Sequence, residues 1–466
     1  MHETKMPRTG GEILVDQLLI QGIEQGFYVL GDAHDPLLAP LESANIELIT
    51  AWQTSTALMM AEAYGKLSSH PGIAFVMSEA MAQDAIDGIH IAMQAATAMI
   101  ILVKSAALSE GQAVLSTLQC QVKWSAIIED AAGIPKIIGR AFHQAVTGRS
   151  GPVVIAITHD ALTECISIAD GIAITPVTIA PSMNDLAQFE QMLNFARNPI
   201  LILGGSQWQA QSVARIEQFA ARYALSTAVE ARRQVIFSSR HEAFVGEITE
   251  SMNPALAKRI AHADLVILLG GTMDEPLLNA PVPLQTLIHI HPDIQALNDV
   301  YHADLAINAT PDAFTQALLS VRLYNNWLDI LQKDRADHAA WQVSHSDPGQ
   351  WLNALSDALP DDVIVTHGIA AAVAAKAWHR TRPVLCVMDQ HDFDASSDAL
   401  LSAQHHHLGI VLMVGQTMTQ DEFFSAWAAA VEQAALGTPV ILHCLFTDHA
   451  KLSMHSLKEV MHALSQ

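Results

Sequence analysis

Short apolar runs that alternate with Ala-rich amphipathic stretches constrain the fold of this chain most strongly. Clear examples of such runs are residues 99–103, 153–157, 199–203, 265–269 and 409–414. Runs of this length are typical of strands that are buried on both faces of a parallel sheet. The alternation therefore predicts an α/β protein whose parallel sheets are flanked by helices.

Length, charge and hydropathy limit the function classes. The 466 residues predict about three domains at roughly 150 residues each. A formal net charge of -24 argues against nucleic acid and anionic membrane surfaces as partners, because both attract Lys and Arg. No apolar run reaches the roughly 18–20 residues of a spanning helix, and residues 1–11 lack the apolar core of a signal peptide. We expect a soluble cytoplasmic protein without nucleic-acid or membrane partners.

Shifts in composition divide the chain into three predicted domains. Residues 163–184 are rich in Ile, Thr, Ser and Pro, which is typical of a linker. The predicted domains span residues 1–165, 183–322 and 327–466. In the middle domain, strand-like runs end in Gly204–Gly205 and Gly270–Gly271, where a tight turn or a close approach to phosphate is expected.

The order of these elements resembles a known family. The first domain contains GGEILVDQLLIQGIEQGF, AEAYGKLSSHPGIAFVMS and GRSGPVVIAI, the middle domain NPILILGG, HADLVILLGGTMDE and LIHIHPD, and the third LPDDVIVTHG. This order is similar to that of thiamine-diphosphate (ThDP) enzymes of the acetolactate synthase large-subunit type. The resemblance implies a ThDP-enzyme fold with pyrimidine-binding, central Rossmann-like and pyrophosphate-binding domains, the last one shortened.

The resemblance also implies where the family's cofactor-binding residues fall. In that family a Glu on a helix of the first domain hydrogen-bonds the aminopyrimidine ring of ThDP, and a GDG…NN motif ligates Mg²⁺ and thereby the diphosphate. The gap-free match places Thr54 at the Glu position, and Glu62 lies eight residues further on as a structural or solvated helix residue. The family's cofactor-binding positions are occupied by Gly31, Thr54, Ser78, Asp389, Gln390 and Gln416.

Most of these positions differ from the family's pattern. Thr cannot exchange a proton at neutral pH as a carboxyl group does. Glu79 stands in the first domain's glycine-rich turn and would repel a phosphate. Between Gly368 and Pro383 only IAAAVAAKAWHRTR remains of the elements that cover the cofactor in the family. These departures predict a divergent member with a degenerate site that uses neither ThDP nor Mg²⁺, as a pseudoenzyme or as an enzyme with altered chemistry in the interdomain cleft.

Histidines and carboxylates supply other candidates for chemistry. His34, in the first loop, and His367, which follows a strand, are candidate acid–base residues. His391 is a third catalytic candidate. His391 and Asp389 lie where α/β proteins bind ligands and are weak candidates for a metal site, although a plain polar loop is the favoured interpretation.

Two functional alternatives and the oligomeric state remain open at this stage. One alternative is an active ThDP-dependent carboligase or decarboxylase that acts on a 2-oxo acid. The other is a protein that binds FAD or ADP through its central domain, where the two glycine pairs lie. The family's cofactor cleft forms between subunits, so the resemblance implies a homodimer or homotetramer with a small molecule in that cleft. We expect the apolar faces of residues 54–67 and 82–95 to pack against the partner subunit.

Overall fold

A computed structural model describes the following parts of the chain. They are residues 6–29, 31, 35–68, 70–77, 85–231, 233, 236–249, 252–272, 286–344, 359, 362–388, 390–396, 398–414, 420–443 and 453–456. The chain divides into two compact units. The first comprises Met1–Ala145, Gly151–Thr175 and Trp351–Gln466, and the second comprises Val146–Ser150 and Pro176–Gln350.

The first unit begins with a parallel sheet covered by helices, which we call the N-terminal sheet. Its described strands run in the order β3–β2–β4–β5–β7–β6, and β1 and β8 form a short antiparallel pair beside it. The strands are β1 (Arg8–Thr9), β2 (Gln25–Val29), β3 (Glu47–Ala51), β4 (Gly72–Met77), β5 (Met99–Ser105), β6 (Trp124–Ile128), β7 (Pro152–Thr158) and β8 (Cys165–Ile166). The helices are α1 (Gly10–Ile20), α2 (Leu38–Ser43), α3 (Thr54–Leu67), α4 (Ile86–Gln94), α5 (Leu108–Leu118), α6 (Ile134–Val146) and α7 (His159–Thr163).

The second unit contains one parallel sheet, the central sheet. Its described strands run in the order β11–β10–β9–β12–β13–β14. The strands are β9 (Pro199–Leu203), β10 (Thr227–Glu230), β11 (Phe244–Ile248), β12 (Leu265–Leu269), β13 (Leu287–His291) and β14 (Leu305–Asn308). The helices are α8 (Met183–Phe195), α9 (Ala210–Tyr223), α10 (Pro254–Ala261), α11 (Pro311–Ala317) and α12 (Leu328–Ser344).

The C-terminal sheet completes the first unit. Strands β15 to β18 are parallel in chain order, and β19 pairs antiparallel with β18. The strands are β15 (Ile364–Thr366), β16 (Val384–Met388), β17 (Val411–Val414), β18 (Val440–His443) and β19 (Ser453–Ser456). The helices are α13 (Ile369–Trp378), α14 (Gln390–Ser396), α15 (Asp398–His405) and α16 (Gln420–Ala434).

Helix α3 is the central packing element of the first unit. Its inner side is buried against the N-terminal sheet, where the ring of Tyr64 meets that of Phe27 edge to face at 5.9 Å. Tyr64 also meets Trp378 of α13 at 5.1 Å, so α3 lies between the N-terminal sheet and α13 of the same chain. Small residues allow this close approach: Gly72 lies so near α3 that a Cβ atom would come within 1.8 Å of the Ala61 carbonyl oxygen.

The structure confirms the predicted fold class, an α/β protein with several parallel sheets flanked by helices. The division into three domains with the bounds given above stays a prediction. One expectation differs from the structure, because the apolar face of α3 packs against α13 of its own chain rather than being left for a partner subunit. The small residues of α13, which are alanines at most positions, leave room for this contact. Self-association stays a prediction.

Candidate functional site

The beginning of α3 holds a buried hydroxyl group without a partner. Strand β3 ends at Ala51, and α3 begins three residues later at Thr54, whose residue surface is 2% exposed. Thr54 Oγ1 has no hydrogen-bond partner among the described residues. A buried hydroxyl left unpaired costs about 1–3 kcal/mol, so the site fits a ligand that supplies the missing bond.

The helix end around Thr54 is also uncapped. Gln53 at the N-cap makes no side-chain hydrogen bond to the first turn of α3, and that turn contains no acidic residue. The first N–H groups of a helix carry partial positive charge and need acceptors from outside the helix. The position therefore combines a hydroxyl with backbone donors and lacks a negative charge of its own.

Helix α15 of the C-terminal half lies against this part of α3. The hydroxyl of Thr56 donates a 2.5 Å hydrogen bond to Asp398 at the first residue of α15. On β3, the N–H of Thr50 donates to His406 Nε2 at 2.8 Å, and the Thr50 hydroxyl lies at the same distance from this nitrogen. An ion pair between Glu47 and Arg380 extends the contact along β3. Both sheets of the first unit therefore contribute to the surroundings of Thr54.

The contact at Thr50 requires a neutral His406. An imidazole nitrogen that accepts a hydrogen bond from an N–H group cannot itself carry a proton. Burial lowers the pKa of His406 to about 4, and the neighbouring charges of His405, Arg380 and His407 act in the same direction. His406 is therefore neutral at pH 7, with its proton on Nδ1.

His367 lies at the carboxyl end of β15, where α/β proteins bind ligands. Its Nδ1 donates to the carbonyl oxygen of Val387 at 2.8 Å, which leaves Nε2 as the acceptor nitrogen. Nε2 lies 3.6 Å from the carboxylate of Asp392, and the His367 side chain is 75% exposed. The backbone bond fixes the tautomer, so a solvent-accessible nitrogen able to take up a proton faces the edge of the C-terminal sheet.

The structure describes only some of the other predicted site residues. His34, Ser78, Asp389 and Gln416 lie outside the described residues, as does Glu79. Gly31 is exposed after β2, Gln390 begins α14, and His391 is exposed on that helix. Within the described ranges, no group of three His, Cys, Asp or Glu residues could hold a metal ion. The roles predicted for these residues stay predictions.

A buried charged cluster at the carboxyl edge of the N-terminal sheet was not predicted. Asp35 accepts hydrogen bonds from the Tyr28 hydroxyl at 2.7 Å and from the Leu37 N–H at 2.9 Å. Lys104 at the end of β5 lies 3.4 Å from the same carboxylate. The sequence signal for this cluster is Lys104, which follows the apolar run MIILV. These bonds make Asp35 an anchor for the loop that leads into α2.

Glu62 is buried on α3 and has a structural role. It forms an ion pair with Lys66 at 2.7 Å and accepts a 2.9 Å hydrogen bond from the hydroxyl of Thr97. The ion pair lies within α3, and the Thr97 bond joins α3 to the segment that precedes β5. Paired in this way, Glu62 does not replace the carboxylate that is missing at position 54.

The glycine pairs of the central sheet are explained by packing. Gly204 and Gly271 lie against the carboxylate of Glu230: a Cβ atom would come within 1.8 Å of it at Gly204 and 2.2 Å at Gly271. At Gly205 a Cβ atom would meet the carbonyl oxygen of Gly270 at 1.7 Å. The turns need glycine for their mutual contact, so the pairs alone do not require a nucleotide. FAD or ADP binding stays a prediction.

Comparison with known proteins identifies the family. Residues 8–123 match the N-terminal TPP binding domain of thiamine pyrophosphate enzymes, and residues 186–318 match the central domain of these enzymes. Thiamine pyrophosphate and ThDP are the same compound. Together the two matches cover more than half of the chain, which therefore belongs to the ThDP-dependent enzyme family.

Within the family, the chain is similar to acetolactate synthases. It is 23% identical over 393 residues to the acetolactate synthase isozyme 2 large subunit of Escherichia coli, covering 80% of this chain and 71% of the relative. It is 25% identical over 359 residues to the acetolactate synthase large subunit of Lactococcus lactis, covering 71% and 60%. It is also 25% identical over 389 residues to a "probable 2-ketoarginine decarboxylase" of Pseudomonas aeruginosa, covering 77% and 67%.

Membership in this family corrects the expectation that the chain uses neither ThDP nor Mg²⁺. The matched N-terminal region is a TPP binding domain, and it contains β3, α3 and Thr54. Substitutions at single ligand positions do not exclude the cofactor, because the elements that shape the pyrimidine end are present. Among the described residues, no helix is long and apolar enough to cross a membrane.

Proposed function

We propose that this protein is a ThDP-dependent enzyme that makes or breaks the carbon–carbon bond beside the carbonyl group of a 2-oxo acid, as a carboligase or decarboxylase. The match of the TPP binding domain over residues 8–123 carries the proposal. The names of the relatives support the substrate class, since 2-ketoarginine is itself a 2-oxo acid.

The described residues fit the pyrimidine end of the cofactor. The buried Thr54 hydroxyl lacks a partner, and a hydroxyl can donate to or accept from a pyrimidine ring. Residues 389 and 415–416, where the family resemblance places the diphosphate and magnesium ligands, lie outside the described residues. The fit therefore rests on Thr54 and on the uncapped end of α3.

The chain's own residues bind, shield and transfer protons around the cofactor. When bound, ThDP would supply the nucleophilic carbon that this chemistry requires. The packing of α3 on α13, with Tyr64 against Trp378, excludes water from between these two helices. His367 holds its proton on Nδ1 and can accept one at Nε2, beside the carboxylate of Asp392. We therefore assign His367 to proton transfer with the substrate.

The activity is tested on the full-length protein with ThDP, Mg²⁺ and a panel of 2-oxo acids that includes pyruvate. Carbon dioxide release and the carbon skeleton of the product are followed in parallel, which separates decarboxylation from carboligation. We expect turnover that depends on added ThDP. If no 2-oxo acid of the panel is converted while the cofactor is bound, the proposal is wrong.

A further inference from the structure

The hydroxyl of Thr54 determines which kind of hydrogen bond this position can form with the cofactor. We infer that the Thr54 hydroxyl anchors the pyrimidine end of ThDP through a neutral hydrogen bond and exchanges no proton with it. This inference rests on the proposed function. It differs from the use of a carboxyl group at the same place, because a hydroxyl keeps its proton at every pH at which the protein is folded.

The surroundings of Thr54 support a ligand contact. The residue is 2% exposed, and its Oγ1 atom has no partner among the residues that the structure describes. The neighbouring hydroxyl of Thr56 is already used by Asp398, and that of Thr50 lies at His406. Of these three threonines, Thr54 alone has a buried hydroxyl without a hydrogen-bond partner among the described residues.

Charged groups on α3 and α13 do not take over proton exchange, because each is held by a partner. On α3, Glu62 is paired with Lys66. On α13, the ammonium of Lys376 donates to the carbonyl oxygen of Arg382 at 2.9 Å.

The same holds for the strands and helices packed around α3. On β3 Glu47 is paired with Arg380, and on α15 Asp398 accepts from Thr56. His406, directly after α15, accepts from Thr50. On β5, Lys104 is paired with Asp35. The described titratable residues of α4, Asp87 and His90, point into solvent as exposed side chains. The contact at Thr54 is therefore expected to be neutral.

Calorimetric titration of the full-length protein with ThDP in the presence of Mg²⁺ tests the inference. Thr54→Val keeps the shape of the side chain and removes the hydroxyl, and Thr54→Ser keeps the hydroxyl. We expect the valine variant to bind ThDP about fivefold more weakly, as for one neutral hydrogen bond, and the serine variant to bind within about twofold of the wild type. The matched control is Thr117→Val, since the Thr117 hydroxyl is exposed and bonds only the carbonyl oxygen of Ala113.

A second readout counts protons. Titrations at one pH in two buffers of different ionisation enthalpy give the number of protons taken up on binding. The diphosphate contributes equally to all variants, so we expect the same number for the wild type and Thr54→Val. Unchanged affinity in the valine variant, or a changed proton count, overturns the role of Thr54 while leaving the proposed function standing. Failure of the wild type to bind ThDP overturns both.

Discussion

At the scale of single residues, the fixed tautomer of His367 leads to a kinetic prediction. Replacement by Gln keeps a polar side chain that can bond the Val387 carbonyl oxygen but cannot accept a proton. We expect His367→Gln to lower kcat by about 10²-fold or more, the usual contribution of a general base, with little change in ThDP affinity. Steady-state kinetics combined with cofactor titration measures both quantities.

His262 offers a matched control for this replacement. It is exposed, and its ring pairs with a backbone carbonyl oxygen, that of Lys258, at 2.8 Å, as the ring of His367 does at Val387. We expect His262→Gln to retain the kcat of the wild type. Equal kcat values for His367→Gln and the wild type would show that proton transfer takes place elsewhere.

The buried imidazole of His406 predicts how stability depends on pH. Its pKa is lowered from 6.5 to about 4 in the folded protein, so the unfolded chain binds more protons between these values. The stabilisation is therefore fully present above pH 6.5 and is lost as the pH falls toward 4. Because His406 is partly exposed, solvent screening reduces this effect, and the free energy of unfolding falls by about 1–2 kcal/mol.

Replacement of His406 by Gln isolates this contribution. The amide oxygen can accept the Thr50 N–H bond and does not titrate. We expect the free energy of unfolding of His406→Gln to fall less steeply than that of the wild type between pH 6.5 and 4. The remaining slope includes His291, whose pKa burial also lowers to about 4. Identical slopes in urea unfolding series would contradict the role of His406.

At the scale of elements, the contact between α3 and β4 depends on Gly72. A methyl group there would come within 1.8 Å of the Ala61 carbonyl oxygen and 2.5 Å of its carbon, and backbone atoms cannot move aside without shifting the helix. We expect Gly72→Ala to destabilise the protein by about 2–4 kcal/mol through overpacking. The midpoint of urea unfolding measures the change.

Gly139 provides the opposite case for comparison. It lies within α6, and a Cβ atom there would meet only Ile174, at 3.9 Å. Because Ala favours a helix over Gly by roughly 1 kcal/mol, we expect Gly139→Ala to be neutral or stabilising. A loss of stability equal to that of Gly72→Ala would mean that the close contact at Gly72 is not the cause.

The sequence predicted the buried elements better than the partly exposed ones. Strands β9 and β12 have the bounds of the predicted runs 199–203 and 265–269, because these runs end at polar residues or glycine. Strand β6 was missed because its residues are mostly half-buried at the edge of the sheet and show no apolar run.

The candidate site could be predicted only in part. The family resemblance located Thr54 and the order of elements around it. It could not show that Thr56 and Thr50 would be used by Asp398 and His406, some 350 positions away, because such pairings follow from tertiary packing. The contacts of Asp35 with Tyr28 and Lys104 could not be predicted for the same reason. The cofactor prediction was wrong because it relied on substitutions at single ligand positions, whereas residues 8–123 match a TPP binding domain.

At the scale of the whole molecule, Thr54 and His367 both belong to the first unit. The two units have separate hydrophobic cores, one around α3 and α13 and the other around the central sheet. A ligand that binds only the folded state stabilises it by about 2.7 kcal/mol at a concentration of 100 Kd. ThDP with Mg²⁺ should therefore protect the first unit selectively.

Hydrogen exchange followed by mass spectrometry distinguishes the units. With ThDP and Mg²⁺ added, we expect slower exchange in peptides that contain the first turns of α3, α13 and α15, because α3 begins at Thr54, α13 begins two residues after His367, and the first residue of α15 bonds Thr56. Peptides from the central strands β9 and β12 should exchange at the rate of the free protein, and Mg²⁺ alone serves as the control. Protection confined to β9 and β12 would instead indicate that the central sheet binds the ligand, and the assignment of the site to the first unit would be wrong.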